Sequence, residues 1–543
     1  MHQISEEKRC IFWYNLTMEN IEVLKSNYPY LSNRNYTAYQ MILPLDLEKK
    51  IEKNDPVYSF LEVMEGVNWN KYLYKPSHKG RDEYDPFKMI KVILFAYMNQ
   101  IYSLRRIEQA CKTDIRFMFI MQEEKPSHMA FQRFITHYLK EDIKNIFRDI
   151  FDSICSLDSV DKDTIYIDGT KMEANANKFT FIWKTTAIKI RDKTFIKLNE
   201  LTNKLVDGIQ AEKKEEWSIE DIDHILNQIK KIIAKDGITF VYGKGKRKTP
   251  IQRNYDDLIK LKKILENCLE RIELCGPHRN SCSKTDHDAT MMHMKEDYYM
   301  KTGIFKAGYN AQIAVSSEYI QYAGIYQDRA DQKTFMKFIE EFKTLYNRYP
   351  KTAVADAGYG SYDNYFYCVE HDIEAYIKYT MYSKEKEKKY QKDIFKRANW
   401  KKNEYGEYQC PAGHVFHYIG ESVDKRSTYH RINQRYSCEK CEGCSLKSKC
   451  TKAKGDRVIN VNPVLEEFER TAKSKLDSEK GIYHRMQRSI QTEGAFGVIK
   501  EDYGYERFHR RKIKNVEMEF LLVCIGFNLL KYHNKKYRKL AQA

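Results

Sequence analysis

Two short apolar runs in this chain end alike, and the way they end limits what the chain can fold into. TIYIDGT (164–170) alternates apolar and polar residues and reads as a strand stopping at Asp168 and Gly169. KTAVADAGYGS (351–361) reads as a second strand stopping at Asp356, with Gly358 and Gly360 behind it. Between them, GYNAQIAVSS and YIQYAGIYQD read as a hairpin around Ser317-Glu318, and residues 331–346 as an amphipathic helix. A further helix and the strand EAYIKYT follow Asp356. Strands interleaved with helices in this order predict an α/β core.

Two elaborations interrupt that core. Residues 185–280 return to helical spacing, with Ile222, Ile225, Leu226, Ile229 and Ile232 on one stripe and Leu258, Leu261, Leu265, Leu269 and Ile272 on another. The basic loop GKGKRKTP (243–250) joins them, as a solvated tip or as a phosphate contact. Residues 380–460 are highly charged, Cys-bearing and irregular. Ahead of the core, residues 1–160 predict an all-α domain. Asp85-Pro86 opens one helix, Ser103 a second and Ser127 a third, and a fourth covers roughly 141–157. Short helices on short turns suit a helix-turn-helix DNA-binding domain or a generic bundle. The core then runs over 161–535, with a final helix near 515–533, and 536–543 form a basic tail.

Asp168 and Asp356 are the candidate chemistry. Ligands collect beyond strand ends in α/β sheets, and a half-buried carboxylate there is costly unless a cation neutralises it. Two such groups on neighbouring strands suit a shared Mg²⁺, and a pair of metals suits phosphodiester cleavage. Either Asp taken alone reads more readily as a turn residue, and it is the pair that points to chemistry. A third acid must come from a helix, and Glu493 in HRMQRSIQTEGAFGVIK (484–500) is the candidate, with Lys500 on the same face. Asp286 and Asp288 read as turn residues entering a strand, and Asp328 and Asp331 as helix caps.

The partner follows from charge. With 93 Lys and Arg against 76 Asp and Glu, the 543-residue chain carries +17, which suits a polyanion. The 42% hydrophobic content excludes full-length disorder. The run ERFHRRKIK (506–514) places Arg507, Arg510 and Arg511 around Phe508, either as phosphate contacts with a base-stacking aromatic or as a solvated loop. No apolar stretch reaches the ~18–20 residues of a membrane span. The N-terminal segment MHQISEEKRCIFWYNL has acidic residues and lacks the basic-then-apolar order of a signal peptide, and the scattered cysteines suit a reducing, cytoplasmic setting. Cys438, Cys441, Cys444 and Cys450 crowd together, with Cys410 and His414 upstream. They predict a structural Zn²⁺ knuckle, with reduced metal-free cysteines as the alternative.

YIDGTKMEANANKFTF (166–181), VADAGYGS (354–361) and QRSIQTEGAFG (487–497) resemble the three catalytic blocks of bacterial insertion-sequence DDE transposases. Residues 81–117 resemble the N-terminal helical domain of many of those enzymes, and 285–315 and 505–532 resemble further segments of the group. The resemblance implies a ribonuclease-H-like mixed sheet, two Mg²⁺ ions held by Asp168, Asp356 and Glu493, and a homo-oligomer acting on double-stranded DNA at transposon ends and target. It implies end cleavage followed by 3′-OH strand transfer. An inactive DNA-binding derivative and a nuclease without strand transfer are the alternatives. The family often places Tyr, Arg, Glu and Lys at spacings of three, four and seven around the last acid. Here Met486 and Ser489 stand at the Tyr and Arg positions, so Arg485 and Arg488 are the candidate DNA contacts, with Lys500 matching.

Overall fold

The computed structural model describes residues 50–73, 84–243, 245–294 and 303–542, so expectations for 1–49 lie outside the described residues. Helices α1 (Pro56–Glu65), α2 (Pro86–Met98), α3 (Leu104–Thr113), α4 (Ile115–Met121), α5 (His128–Phe134) and α6 (Lys140–Leu157) come first. The expected starts hold. The Asp85 carboxylate accepts from the Phe87 amide at 2.8 Å with Pro86 in the first turn, and the Ser127 hydroxyl accepts from the Ala130 amide at 3.3 Å. Ser103 stands at the start of α3 without a side-chain cap bond. The separate helix α4 is not among the expected elements; Asp114 caps it by accepting from Arg116.

Strands β1 (Thr164–Glu173), β2 (Phe181–Trp183), β3 (Ser281–Ser283), β4 (Thr290–Met294), β5 (Ile304–Ser316), β6 (Tyr319–Tyr326), β7 (Thr352–Ala355) and β8 (Glu374–Ile377) follow in chain order. Helices α7 (Lys184–Thr202), α8 (Ile219–Lys235) and α9 (Pro250–Cys275) lie between β2 and β3, α10 (Phe335–Tyr346) before β7, and α11 (Tyr362–Glu370) after it. The main sheet runs β4-β5-β1-β7-β8, with β6 also on β5. It is mixed: β5 lies antiparallel to β1, whereas β1, β7 and β8 are parallel. The hairpin turns where expected, with Ser317 and Glu318 both at positive φ.

The segment expected to be irregular holds a second sheet instead. Strands β9 (Phe416–Val423), β10 (Ile432–Cys438) and β11 (Val458–Val461) pair antiparallel around Phe416, Ile459 and Val461. Then come α12 (Pro463–Asp477), α13 (Glu479–Arg488), a π-helical turn at Ser489–Glu493, α14 (Gly494–Gly497), a second π-turn at Val498–Asp502, and α15 (Ile513–Gln542).

The apolar stretch of α15 explains the packing. Residues Phe520 to Ile525 are all buried, and the helix lies against α1, α2, α6 and β6. One continuous core therefore joins the first helices to β5 and β6. A second core holds α10, α11 and part of α12 against β1, β7 and β8. At Gly526 the crossing with α2 is close; an added Cβ would lie 2.6 Å from the Tyr97 carbonyl. Asn528 is 1% exposed and completes the sheet edge, accepting from the Ile320 amide at 2.8 Å and donating to the Ile320 carbonyl at 2.8 Å. Among the described residues no helix is long and apolar enough to cross a membrane.

The acids read as turn residues and caps have other partners. Asp286 accepts from Tyr309 at 2.7 Å and from the Lys512 amide at 3.2 Å, and Asp288 from the Ile513 amide at 2.9 Å, so both secure the start of α15. Asp328 pairs with Lys337 rather than capping a helix. Asp331 does not cap either, because three side-chain donors converge on its Oδ1: Lys171 at 2.8 Å, Asn310 at 2.7 Å and Gln312 at 3.0 Å.

Replacing Asn528 with Leu leaves the amide and carbonyl of Ile320 without partners in a dry core. At roughly 1–3 kcal/mol per group, the loss should be about 2–6 kcal/mol, read as a lower urea midpoint, with Asn528→Asp intermediate. Asp158 ties α15 to β6 by accepting from Tyr319, Lys535 and Lys539. Although burial opposes ionisation, the bonds from Lys539, Lys535 and Tyr319 hold its carboxyl below the usual range. Stability from this group is therefore fully present above an unfolded value near 4 and is lost as pH falls through the folded value. Asp158→Asn should flatten the acid limb of the stability–pH curve below about pH 4 and leave its shape near neutrality unchanged.

Candidate active site

The register of three parallel strands builds the site. Tyr166 pairs with Val354, and Val354 with Tyr376. Two residues further along stand Asp168, Asp356 and Lys378 in one row; β7 and β8 have ended there, whereas β1, expected to stop at Asp168 and Gly169, continues to Glu173 because β5 still pairs with it, Asp168 lying opposite Ile313. The row faces α13. His484 bonds the Tyr166 hydroxyl at 3.1 Å and packs on Tyr376, and Arg488 and Thr492 both reach Asp168.

Each Asp is held by local backbone. Asp168 Oδ1 accepts from the Gly169 amide at 2.9 Å, and its Oδ2 faces Arg488 Nη1 at 3.4 Å and the Thr492 hydroxyl at 3.4 Å. Asp356 Oδ1 accepts from the Gly358 amide at 2.8 Å. Gly360 lets the loop lie on the next strand, because an added Cβ there would meet the Lys378 carbonyl oxygen at 2.5 Å. Beneath the row, a buried network runs from the Tyr359 hydroxyl to Gln312 and on to Asn310 and Asp331.

Glu493 arrives from the helix side through the π-turn. Arg488 and Glu493 are five positions apart, a spacing that separates side chains on a regular α-helix. The wider π-turn aligns them, and Arg488 Nη2 pairs with Glu493 Oε1 at 3.2 Å. Arg488, only 9% exposed, thus bridges Asp168 and Glu493. The Nε atoms of Arg485 and Arg488 are buried with no hydrogen-bond partner among the described residues. Lys378 carries no signal in the sequence. Burial holds its ammonium below the usual lysine range, Arg488 and Arg485 push the same way, and Asp356 and Glu493 oppose them.

The donor chemistry suits a hard divalent cation at the two Asp residues: neighbouring carboxylates, half-buried, at an open strand edge. The third expected ligand is diverted, since Glu493 is paired with Arg488 and its side chain is 59% exposed. Among the described residues no three His, Cys, Asp or Glu side chains form a set that could hold a metal ion.

The cysteine expectation is corrected on the same ground. Cys410, Cys438, Cys441, Cys444 and Cys450 line one small cavity, but they do not form a ligand set, and zinc is not supported. Arg457 fills part of the space, donating from its guanidinium to Cys450 at 2.9 Å and from its amide to Cys441 at 3.3 Å. Burial pushes the Cys438 thiol up to about 12.

The basic run lies next to the site but is partly structural. Phe508 is 1% exposed, packed on Tyr309, Tyr505 and Phe520, and so, against expectation, is not available to stack on a base. Arg507 reaches the carbonyls of Ala174 and Ala176, and Arg511 donates to the Asn175 carbonyl at 2.8 Å. Glu519 accepts from the Arg510 amide at 2.9 Å and from both the His509 ring and its amide. Lys500 donates to the Thr170 hydroxyl at 2.5 Å. These bonds fasten 505–512 to the segment that follows Asp168 on β1.

Two family models match the chain. A transposase domain (DUF772) matches residues 45–137, the first helices, and a transposase DDE domain matches residues 409–533, which include Glu493 but neither Asp168 nor Asp356. No curated protein and no solved structure matches the chain. The two matches lie in the order helical domain, then DDE domain, on either side in sequence of the segment carrying Asp168 and Asp356, and together they support a bacterial insertion-sequence DDE transposase.

Proposed function

We propose that this transposase cleaves phosphodiester bonds at transposon ends in a Mg²⁺-dependent reaction and joins the freed 3′-OH to target DNA. The observation that carries the reading is the alignment of Asp168 on β1 with Asp356 just past the end of the neighbouring parallel β7, facing the helical segment that bears Glu493. The strand order β6-β5-β1-β7-β8, antiparallel on one side of β1 and parallel on the other, supports a ribonuclease-H-like core. The first helices then form the DNA-binding domain, and the segments 185–280 and 380–460 are insertions in the catalytic one.

Asp168 and Asp356 would hold the metal, with Glu493 joining once its pair with Arg488 opens. The bound ions would activate the attacking oxygen and stabilise the leaving one. The chain's own part is positioning. The Gly169 and Gly358 amides fix the carboxylates, and Thr492, bonded to the Arg488 carbonyl at 2.8 Å, seats the helix on Asp168. Arg485 and Arg488 offer guanidinium donors to backbone phosphates, and Lys500 and the 507–511 loop extend the basic surface beside the site.

Asp168→Asn should abolish Mg²⁺-dependent nicking of the element's labelled terminal duplex while end binding is retained or slightly tighter. Retained nicking refutes the active-site assignment, and end binding with no nicking by the native protein in Mg²⁺ or Mn²⁺ identifies an inactive derivative instead. Joined products on supercoiled target separate strand transfer from simple cleavage. Arg510→Ala with Arg511→Ala should lower the slope of log affinity against log salt by up to about two, roughly 0.9 for each phosphate that the variant no longer neutralises. An unchanged slope confines these residues to holding the loop.

A further inference from the structure

The third position in the row of strand ends has a charge that the acidic pair does not explain. Lys378 follows β8 directly, and its amide reaches the Ala355 carbonyl at 3.4 Å, so it sits beside Asp356 as Asp356 sits beside Asp168. Its side chain is half-buried and has no ion-pair partner among the described residues. We propose that Lys378 binds a non-bridging oxygen of the DNA backbone phosphate lying across the Asp168–Asp356 pair, with Arg485 and Arg488 closing the same anion pocket from the helix side. The proposal rests on the phosphodiester-cleaving function above and assigns one further substrate contact within it.

Three observations support it. First, Lys378 stands beside Asp356 in the row, and Arg488 and Arg485 of the facing helix push its ammonium further below the usual lysine range, so a cluster of cations faces the acids. Second, Arg488, which reaches Asp168, keeps a buried Nε donor without a partner among the described residues, as does Arg485, whose guanidinium lies over the Tyr382 ring. Third, Asp168, Asp356 and Glu493 already balance these three cations. Adding divalent metal makes the site strongly positive, and bound phosphodiesters restore the balance. A lysine in this row suits the task, because an ammonium is a compact charge that can follow a phosphate as its geometry changes.

The test uses the full-length protein and the element's own terminal duplex. Lys378→Ala should lower the nicking rate at saturating DNA by roughly 100-fold with end affinity changed only a few-fold, and Lys378→Arg should recover part of the rate. Lys378→Met keeps the aliphatic stem and should match Lys378→Ala, which separates the effect of charge from that of packing. Single neutral methylphosphonates are then scanned along the terminal strand. One position should slow the native protein strongly and the Lys378→Met variant hardly at all. Native rates in Lys378→Met, or equal sensitivity of both proteins at every position, would overturn the assignment. Asp168→Asn runs alongside as the control. If it still nicks, the underlying function fails; if it is inactive while Lys378→Met is normal, only the lysine contact fails.

Discussion

Burial of α15 is the constraint on which the rest of the structure depends. A helix with six consecutive buried residues must be covered on every side, and here the first helices cover one side and the sheet another. Its two buried polar groups set the position. Asn528 satisfies the edge of β6 at Ile320, and Glu519 gathers Tyr505, His509 and the amide of Arg510. The start of the helix is held by Asp286 and Asp288, on the chain just ahead of β4. The basic loop before α15 is therefore fixed relative to β1 at both ends.

Within the site, electrostatics set what can bind. Arg488 is a monovalent cation placed between Asp168 and Glu493. A divalent ion at Asp168 would compete with it, and loss of the guanidinium pair would free Glu493, which is already mostly exposed, to swing toward the metal. Arg488 would then need a new anion, and in the proposed reaction a DNA phosphate would supply it. Under that proposal metal, DNA and Glu493 would be linked through one side chain. Beneath the row, the carboxylate of Asp331 is occupied by Lys171, Asn310 and Gln312, so it stiffens the floor of the site.

Much of this is legible in the sequence where the signals are local. Alternation in TIYIDGT and the Asp-Pro start of α2 need only neighbouring residues, and both elements start where expected, although β1 runs past the expected stop at Asp168 and Gly169 to Glu173 because β5 pairs with it that far. Lys378 is illegible because its role comes from the register of β7 against β8, which no local pattern encodes. Asp331 reads as a cap because it precedes a helix, but its partners come from β1 and β5. The strands β9, β10 and β11 escape notice because they leave Tyr418, Ile419, Val423, Ile432 and Val458 exposed, so no apolar alternation marks a buried face. The close cysteine spacing suggests a metal, yet Arg457 enters the same cavity and hydrogen-bonds the sulfurs.

Spacing motifs assume a regular helix, and the segment around Glu493 is not regular. Two π-turns, Ser489–Glu493 and Val498–Asp502, lie on either side of α14. Each widens the helix by one residue per turn, so a side chain five positions back takes the place that four positions back would hold in an α-helix. Ser489 stands at the Arg position of the family spacing by count, while the side chain that pairs with Glu493 is that of Arg488, one residue earlier. The extra residue has a physical consequence as well. It rotates Ile490, which is 58% exposed, away from the sheet and turns Thr492, fully buried, onto Asp168. A short hydroxyl then touches the first acid where a longer side chain would fill the space, and the guanidinium reaches over it to both carboxylates.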